Sequence, residues 1–243
     1  MIPFRFRIKL LDPLFYSREG LAASHTPHML HATAINGAVC AALGVKAEHH
    51  PFMMSDENGG MDTPRYTSSL LTESFYFTPA SPHGELGNWV EIVKGDNEGY
   101  KFETVAGEIL KATQLHFIAP ESEFQGLGLV FEKVQFPGKI RLGSFRGMAS
   151  LKVEVANQYQ FLSNERIHGV THAVDPLVSI VKRGVLNNMF PYPVVCNAAC
   201  ESVCELYFDK PTLGSKVERL AWPTQFKTPT KPKRMSSSAN AII

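Results

Sequence analysis

The alternation at the start of the chain, Phe4-Arg5-Phe6-Arg7-Ile8-Lys9-Leu10, constrains the fold more than any other stretch. Successive side chains of a β-strand point to opposite faces, so Phe4, Phe6, Ile8 and Leu10 belong on a buried face and Arg5, Arg7 and Lys9 on a basic one. Leu11-Asp12-Pro13 ends the strand, since proline cannot continue the pairing. The same alternation of charge cannot serve as the apolar core of a signal peptide. No stretch of about 18 apolar residues occurs that would cross a bilayer as a helix. Four cysteines, Cys40, Cys196, Cys200 and Cys204, are too few and too clustered for a disulfide framework. The expected setting is reducing and cytoplasmic, with no membrane.

The period then changes. Thr26 suits an N-cap and Pro27 the first helical position, while Met29, Leu30, Ala34, Val39, Ala42 and Leu43 form an apolar face that Gly44 closes. A strand followed by one such helix points to an α+β unit. Lys46 to Asp62 has no period and reads as a surface loop. Ser68 to Thr78 is strand-like and stops at Thr78-Pro79-Ala80-Ser81-Pro82. Trp89 to Lys94 and Tyr100 to Val105 flank a glycine and asparagine turn, the signal of a β-hairpin, expected to project with Lys94 and Lys101 beside its turn. Leu110 to Ala119 and Gly126 to Val134 are further strand candidates. Val178 to Val185 reads as a short helix interrupted by Gly184, and Val203 to Phe208 as a closing strand.

A length of 243 residues accommodates one elaborated domain or two small ones, and 44% hydrophobic with 19% charged residues describes a folded chain. One domain over residues 1–222 is expected, with the hairpin inserted around 85–120. The tail, 223–243, carries Lys227, Lys231, Lys233 and Arg234 among prolines and serines and is expected to be disordered.

The formal net charge of +1 excludes a globally basic nucleic-acid glove, so any such contact must come from a local patch. The strongest patch lies in the middle, Phe136-Pro-Gly-Lys-Ile-Arg-Leu-Gly-Ser-Phe-Arg-Gly147, followed by an alternating strand from Ala149 to Val155. Gly138, Gly143 and Gly147 let the main chain approach a ligand and turn N–H groups outward, while Lys139, Arg141 and Arg146 supply cations that can fork onto phosphate oxygens. The plain reading of the same residues is a hairpin with solvated charges. The loop after the first strand, with Tyr16, Ser17, Arg18 and Gly20, has the same two readings: a base and phosphate holder, or a turn.

Catalytic and metal candidates are weaker. His25, His28 and His31 lie three apart, with no accompanying carboxylate or cysteine at ligand spacing, so capping or surface roles are expected and no metal. Cys196, Cys200 and Cys204 read as small apolar core residues. No Walker loop or nucleophile elbow appears. A metal-independent ribonuclease needs only an acid, a base and a cation at a 2′-hydroxyl, a set that His31, Tyr16 and Lys139 would provide if the first strand and the central loop were neighbours.

Three segments in this order and spacing, Phe6-Arg-Ile-Lys-Leu-Leu-Asp-Pro-Leu-Phe-Tyr-Ser-Arg-Glu-Gly20, Tyr76-Phe-Thr-Pro-Ala-Ser-Pro82 and Ile140-Arg-Leu-Gly-Ser-Phe-Arg146, resemble the Cas-five (Csc-one) subunit of type I-D CRISPR Cascade surveillance complexes. The resemblance covers most of the first 180 or so residues. It implies a ferredoxin-like, RNA-recognition-type (RAMP) domain with a protruding hairpin thumb, carrying Lys94 and Lys101, and extra strands. It implies a ribonucleoprotein subunit in antiviral defence that binds the 5′ handle of the crRNA, caps the filament of the major backbone subunit (Cas-seven type) and touches the large subunit (Cas-ten-d type). It further implies no catalysis and no cofactor. Tyr16 and Arg18 fall in the family's first loop, and Arg141, Gly143, Ser144 and Arg146 in its glycine loop. The chain departs from the family by having Ser144, Phe145 and Gly147 where more basic side chains are expected. That shifts binding toward Arg146 and main-chain N–H groups, with Phe145 buried or stacked under a base. Arg65 and Tyr66, in a segment without an assigned counterpart, form a simple turn or approach target DNA near the PAM. The expected function is therefore a non-catalytic RNA-binding subunit. The alternatives are an endoribonuclease that processes precursor crRNA and a protein-interaction module.

Overall fold

The computed structural model describes residues 1–16, 23–44, 74–94, 112–162, 166–189, 191–209, 217–224 and 233–234. In chain order these form β1 (Ile2–Leu10), β2 (Ala23–His25), helix α1 (Ala32–Ala42), β3 (Phe75–Phe77), β4 (Ser81–Pro82), β5 (Asn88–Lys94) and β6 (Ala112–Ile118). There follow β7 (Glu123–Val130), β8 (Lys139–Leu142), β9 (Gly147–Val155), β10 (Gln158–Phe161) and β11 (His168–Gly169). The last are β12 (Val181–Asn187), β13 (Val194–Cys200), β14 (Val203–Tyr207), β15 (Glu218–Ala221) and β16 (Lys233–Arg234). The described residues are thus mostly β with one helix, where the sequence points to an α+β domain.

Strand β1 occupies the middle of a six-stranded sheet in the order β3-β7-β1-β9-β8, with β4 also on β7. All its pairings are antiparallel. The expected alternation holds: Phe4, Phe6, Ile8 and Leu10 are buried. Phe4 and Phe6 meet Phe77 edge-on with ring centroids 5.0 and 4.9 Å away, and Phe136 lies 5.4 Å from Phe4 and 5.3 Å from Phe77. Burying each such ring contributes roughly 1.5–3 kcal/mol. The rings fit because their partners across the ladder are Gly128 and Gly126. A Cβ at Gly128 would stand 2.3 Å from the Phe4 ring, so no larger residue is accommodated without displacing it.

Helix α1 covers this face through Ile35, Val39 and Cys40. It begins at Ala32, not at Pro27, because Leu30 is held extended: Leu30 N–H donates to Ala80 O (3.0 Å) and Ala80 N–H to Leu30 O (2.9 Å). His31 takes over as N-cap, its Nδ1 accepting from Thr33 N–H at 3.2 Å. Gly44, with φ +71°, closes the C-terminus as expected. Asn36 ties the helix to β3, donating to Ala32 O and Phe77 O (2.8 and 2.9 Å) and accepting from Phe77 N–H (2.9 Å).

On the other face, Leu127 and Leu129 of β7 pack with Tyr159, Leu206, Phe208, Leu220 and Trp222. Most of these come from a second sheet, β15-β14-β10-β16. Two smaller sheets, β11-β13-β12 and β2-β6-β5, complete the described structure.

Several expectations are corrected. Val181–Asn187 is a strand, not the helix read over 178–185, and the register shifts beside Gly184 place a bulge there. Trp89 to Lys94 pairs with Ala112–Ile118, so the described hairpin partner is the 110–119 strand. Tyr100 to Val105, like Ser68 to Glu73, lies outside the described residues. Lys233–Arg234 pairs with Gln158 and Tyr159 along the edge of β10, and residues 225–232 and 235–243 of the tail lie outside the described residues. Cys40, Cys200 and Cys204 are buried and free, and burial pushes the Cys40 and Cys200 thiols up to about 11, as suits core residues.

Candidate nucleic-acid interface

The glycine loop is the four-residue turn Gly143-Ser144-Phe145-Arg146 that joins β8 to β9. Gly143 has φ +76°, a conformation that L side chains rarely adopt, and a Cβ there would lie 2.5 Å from Phe15 O. The close approach lets Ser144 N–H donate to Phe15 O at 2.7 Å. On the other side of the turn, Leu11 and Asp12 N–H groups donate to Met148 O (2.9 and 3.1 Å), and Met148 N–H donates to Asp12 Oδ2 (2.8 Å). The loop after β1 is also fixed to β6, through reciprocal 2.9 Å bonds between Leu14 and Ile118.

Three aromatic rings meet at this junction. Phe15 and Phe117 are buried, with centroids 5.0 Å apart. Phe145 stacks on both, 5.4 Å from Phe15 and 6.0 Å from Phe117 with interplanar angles of 21° and 20°, and remains 64% exposed. A rigid aromatic face is thereby offered to solvent. Arg146, beside it, holds φ +54°, and its carbonyl accepts from Arg141 Nη1 at 3.1 Å. Lys139, Arg141, Ser144 and Arg146 are all exposed. A cleft of about 300 Å³ separates Lys139, Ile140, Arg141 and Met148 from Ala38, Ala41 and Ala42 of α1.

Tyr16 joins the junction differently from a stacking platform. Its ring packs against the core and its hydroxyl is covered, which pushes its pKa well up against the opposing influence of the Gly143 main chain. The phenol therefore stays neutral. His31 is buried against Tyr192 (ring centroids 4.4 Å) and burial lowers it to about 4, so it is a neutral cap. Lys139 stands exposed on an edge strand. The acid, base and cation of the ribonuclease reading thus occupy three different surroundings. His28 is exposed, and among the described residues no three His, Cys, Asp or Glu side chains cluster as metal ligands. Lys94 ends β5, opposite Ala112. Arg18, Arg65, Tyr66 and Lys101 lie outside the described residues.

The family described as Type I-D CRISPR-associated protein Cas5/Csc1 has a model that matches residues 1–227. The chain belongs to this family. The match extends the three-segment resemblance over nearly the whole chain of this Cas5/Csc1 protein. No curated protein matches. Among solved structures, a chain of the Type III-B Cmr-beta complex bound to cognate target RNA and AMPPnP is similar with TM-score 0.39 and 11% identity, over 80% of this chain and 85% of that one. A chain of a Type IV-B CRISPR complex has TM-score 0.36 and 11% identity, over 63% of this chain and 90% of that one.

Within the Cas5/Csc1 chain, Phe15, Phe117 and Asp12 are the site residues that sequence reading missed. Phe15 adjoins Tyr16 and carried a local signal. Phe117 and Asp12 had none, since only the tertiary pairing brings them to the turn. No described helix is long and apolar enough to cross a membrane.

Proposed function

We propose that this Cas5/Csc1 chain is a non-catalytic, RNA-binding subunit of a CRISPR complex that holds the 5′ handle of the crRNA at the Gly143–Arg146 turn. The observation that carries the reading is the exposed Phe145 ring, braced from behind by Phe15 and Phe117, in the same turn as exposed Arg146, against whose carbonyl the Arg141 guanidinium lies at 3.1 Å. A braced ring accepts a base of any sequence, and the neighbouring arginines meet the adjoining phosphates. Exposed Ser144 adds to the polar surface, whereas the Ser144 and Arg146 N–H groups are taken up by Phe15 O (2.7 Å) and Gly143 O (3.1 Å), so the side chains rather than the main chain carry the contact.

In the finer reading, the chain caps the filament of the major backbone subunit, touches the large subunit and lies near PAM-proximal target DNA. The antiparallel run β7-β1-β9-β8 with α1 across one face is what supports a ferredoxin-like reading, while the chain order, in which β7 precedes β8 and β9, departs from it. The β5–β6 hairpin, with Trp89 and Val90 exposed, corresponds to the thumb. A non-catalytic role is supported by His31, which is sequestered as a helix cap and held neutral.

The test is replacement of Arg141 and Arg146 together by alanine. Guide retention should weaken and the slope of log affinity against log salt should fall by about two, roughly one per lost phosphate contact. Unchanged retention by a folded double variant refutes the assignment. Site-specific cleavage of precursor RNA in EDTA, lost on His31→Ala, would establish the endoribonuclease instead.

A further inference from the structure

The basic face of β1 is not used by the turn. Its ends are neutralised: Arg5 pairs with Glu154 (2.7 Å) and Glu218 (3.5 Å) and lies 4.4 Å over the Phe208 ring, and Lys9 pairs with Glu121. Its middle is not. Arg7 stands directly opposite Lys152 of β9 in the antiparallel register, and its neighbour on β7 is Gln125. Both cations are exposed and neither pairs with a carboxylate among the described residues. Two like charges facing each other across a ladder destabilise it, so the arrangement costs stability unless an anion sits on it.

The pair is continuous with the turn. Lys9, Ser150 and Lys139 form the next row on this same face, and Arg141 follows Lys139 two residues on. With strands about 4.8 Å apart and about 3.4 Å per residue, the band from Arg141 through Lys139 to Lys152 and Arg7 runs for roughly 20 Å. Between the cations lie Ser150 and Gln125; the exposed aliphatic Leu11 (38%) borders the band at its Arg141 end, not at the centre, where a protein interface needs its apolar anchor. Phosphates need none.

We propose that this sheet face is a second contact surface for the phosphate backbone of the same RNA, continuing the track that starts at the Gly143–Arg146 turn. The inference rests on the RNA reading of the turn. The experiment compares Arg7→Gln/Lys152→Gln with Arg141→Ala/Arg146→Ala, titrating the full chain with a crRNA that extends beyond its 5′ handle at several salt concentrations. The sheet double variant should lower the salt slope by about two, and its Tm should be equal or higher because a repulsive pair is gone. Arg7→Lys/Lys152→Arg should restore the slope. A reduced slope for the turn variant alone overturns the sheet-face proposal and leaves the turn reading intact. An unchanged slope in both variants overturns both. An unchanged slope in the sheet variant with loss of co-purifying protein subunits assigns the face to an acidic protein and likewise overturns the proposal. If the double variant fails to fold, the single Lys152→Gln variant carries the same test, with a slope change of about one expected.

Discussion

Phe145 lies stacked on Phe15, centroids 5.4 Å apart and planes 21° from parallel, with the outer face of the ring open to solvent. Phe15 is anchored in turn by the bond from Ser144 N–H to its carbonyl, so the residue that braces the ring also holds the turn that carries it. Ring and arginines are positioned together before any ligand arrives, which lowers the ordering cost of binding.

Phe145→Ala should reduce affinity for single-stranded guide RNA by about 1–3 kcal/mol, the range for one base–aromatic stack, with little change in Tm. Phe145→Trp should retain binding. Filter binding and thermal melts on the three proteins check this.

Gly143→Ala should lower both stability and affinity. Its Cβ would need to enter a space 2.5 Å from Phe15 O at a positive φ, at a cost of roughly 1–3 kcal/mol, and relief requires the turn to lift off the β1 loop. Chemical denaturation gives the stability change, and RNA titration of the folded fraction gives the second effect.

Arg146→Gly should separate strain from function. An L residue at φ +54° is strained by about 1–2 kcal/mol, so glycine should stabilise the turn by up to about 1 kcal/mol after its own entropy cost. The lost guanidinium should still weaken RNA binding as much as Arg146→Ala does. A glycine variant that is less stable than wild type contradicts the strain.

Asn36→Ala should be among the more damaging core substitutions away from the interface. It strips partners from both the N–H and the carbonyl of Phe77, at about 1–3 kcal/mol for each buried group left unpaired. Urea denaturation should show the midpoint falling with the slope unchanged.

Acidification should destabilise the fold between about pH 6.5 and pH 4. His31 and His172 are both buried and held down to about 4, and His172 accepts from Ala221 N–H (3.0 Å) while its Nδ1 sits 2.7 Å from Ala173 O. The unfolded chain takes up protons below its ordinary histidine value and the folded chain does not, so the stability these groups contribute is complete above about pH 6.5 and lost as pH falls toward 4. Each accounts for about 3 kcal/mol over that window. Asp175 acts in the opposite sense: burial raises its pKa despite donors from Tyr192 and Leu177, so acidification relieves it. Asp175→Asn should therefore steepen the acid loss, and His172→Gln should flatten it. Denaturation midpoints at pH 7 and pH 5 measure both.

Legibility from sequence followed the range of the interactions involved. The first strand, the Gly44 stop, the turn at Gly143 and the β-strand after it were all readable because each depends on residues adjacent in the chain. The start of α1 was misread because Leu30 bonds to Ala80, and the 178–185 segment because its pairing with β13 outweighs local helical character. Tyr16 looked like a base platform beside Arg18, yet its ring is drawn into the core and Phe145 is the ring left outside.

Alternation alone determined that this chain presents a basic face behind a phenylalanine-rich one, and glycine placement determined a turn that main chain can approach. Tertiary structure decided that Phe15, Phe117 and Phe145 form one stack, and that Arg7 faces Lys152. These contacts join residues up to 145 positions apart, counting from Arg7 to Lys152. A period of two states which side of a sheet a residue occupies; the register that chooses its neighbour is set by core packing across the whole sheet.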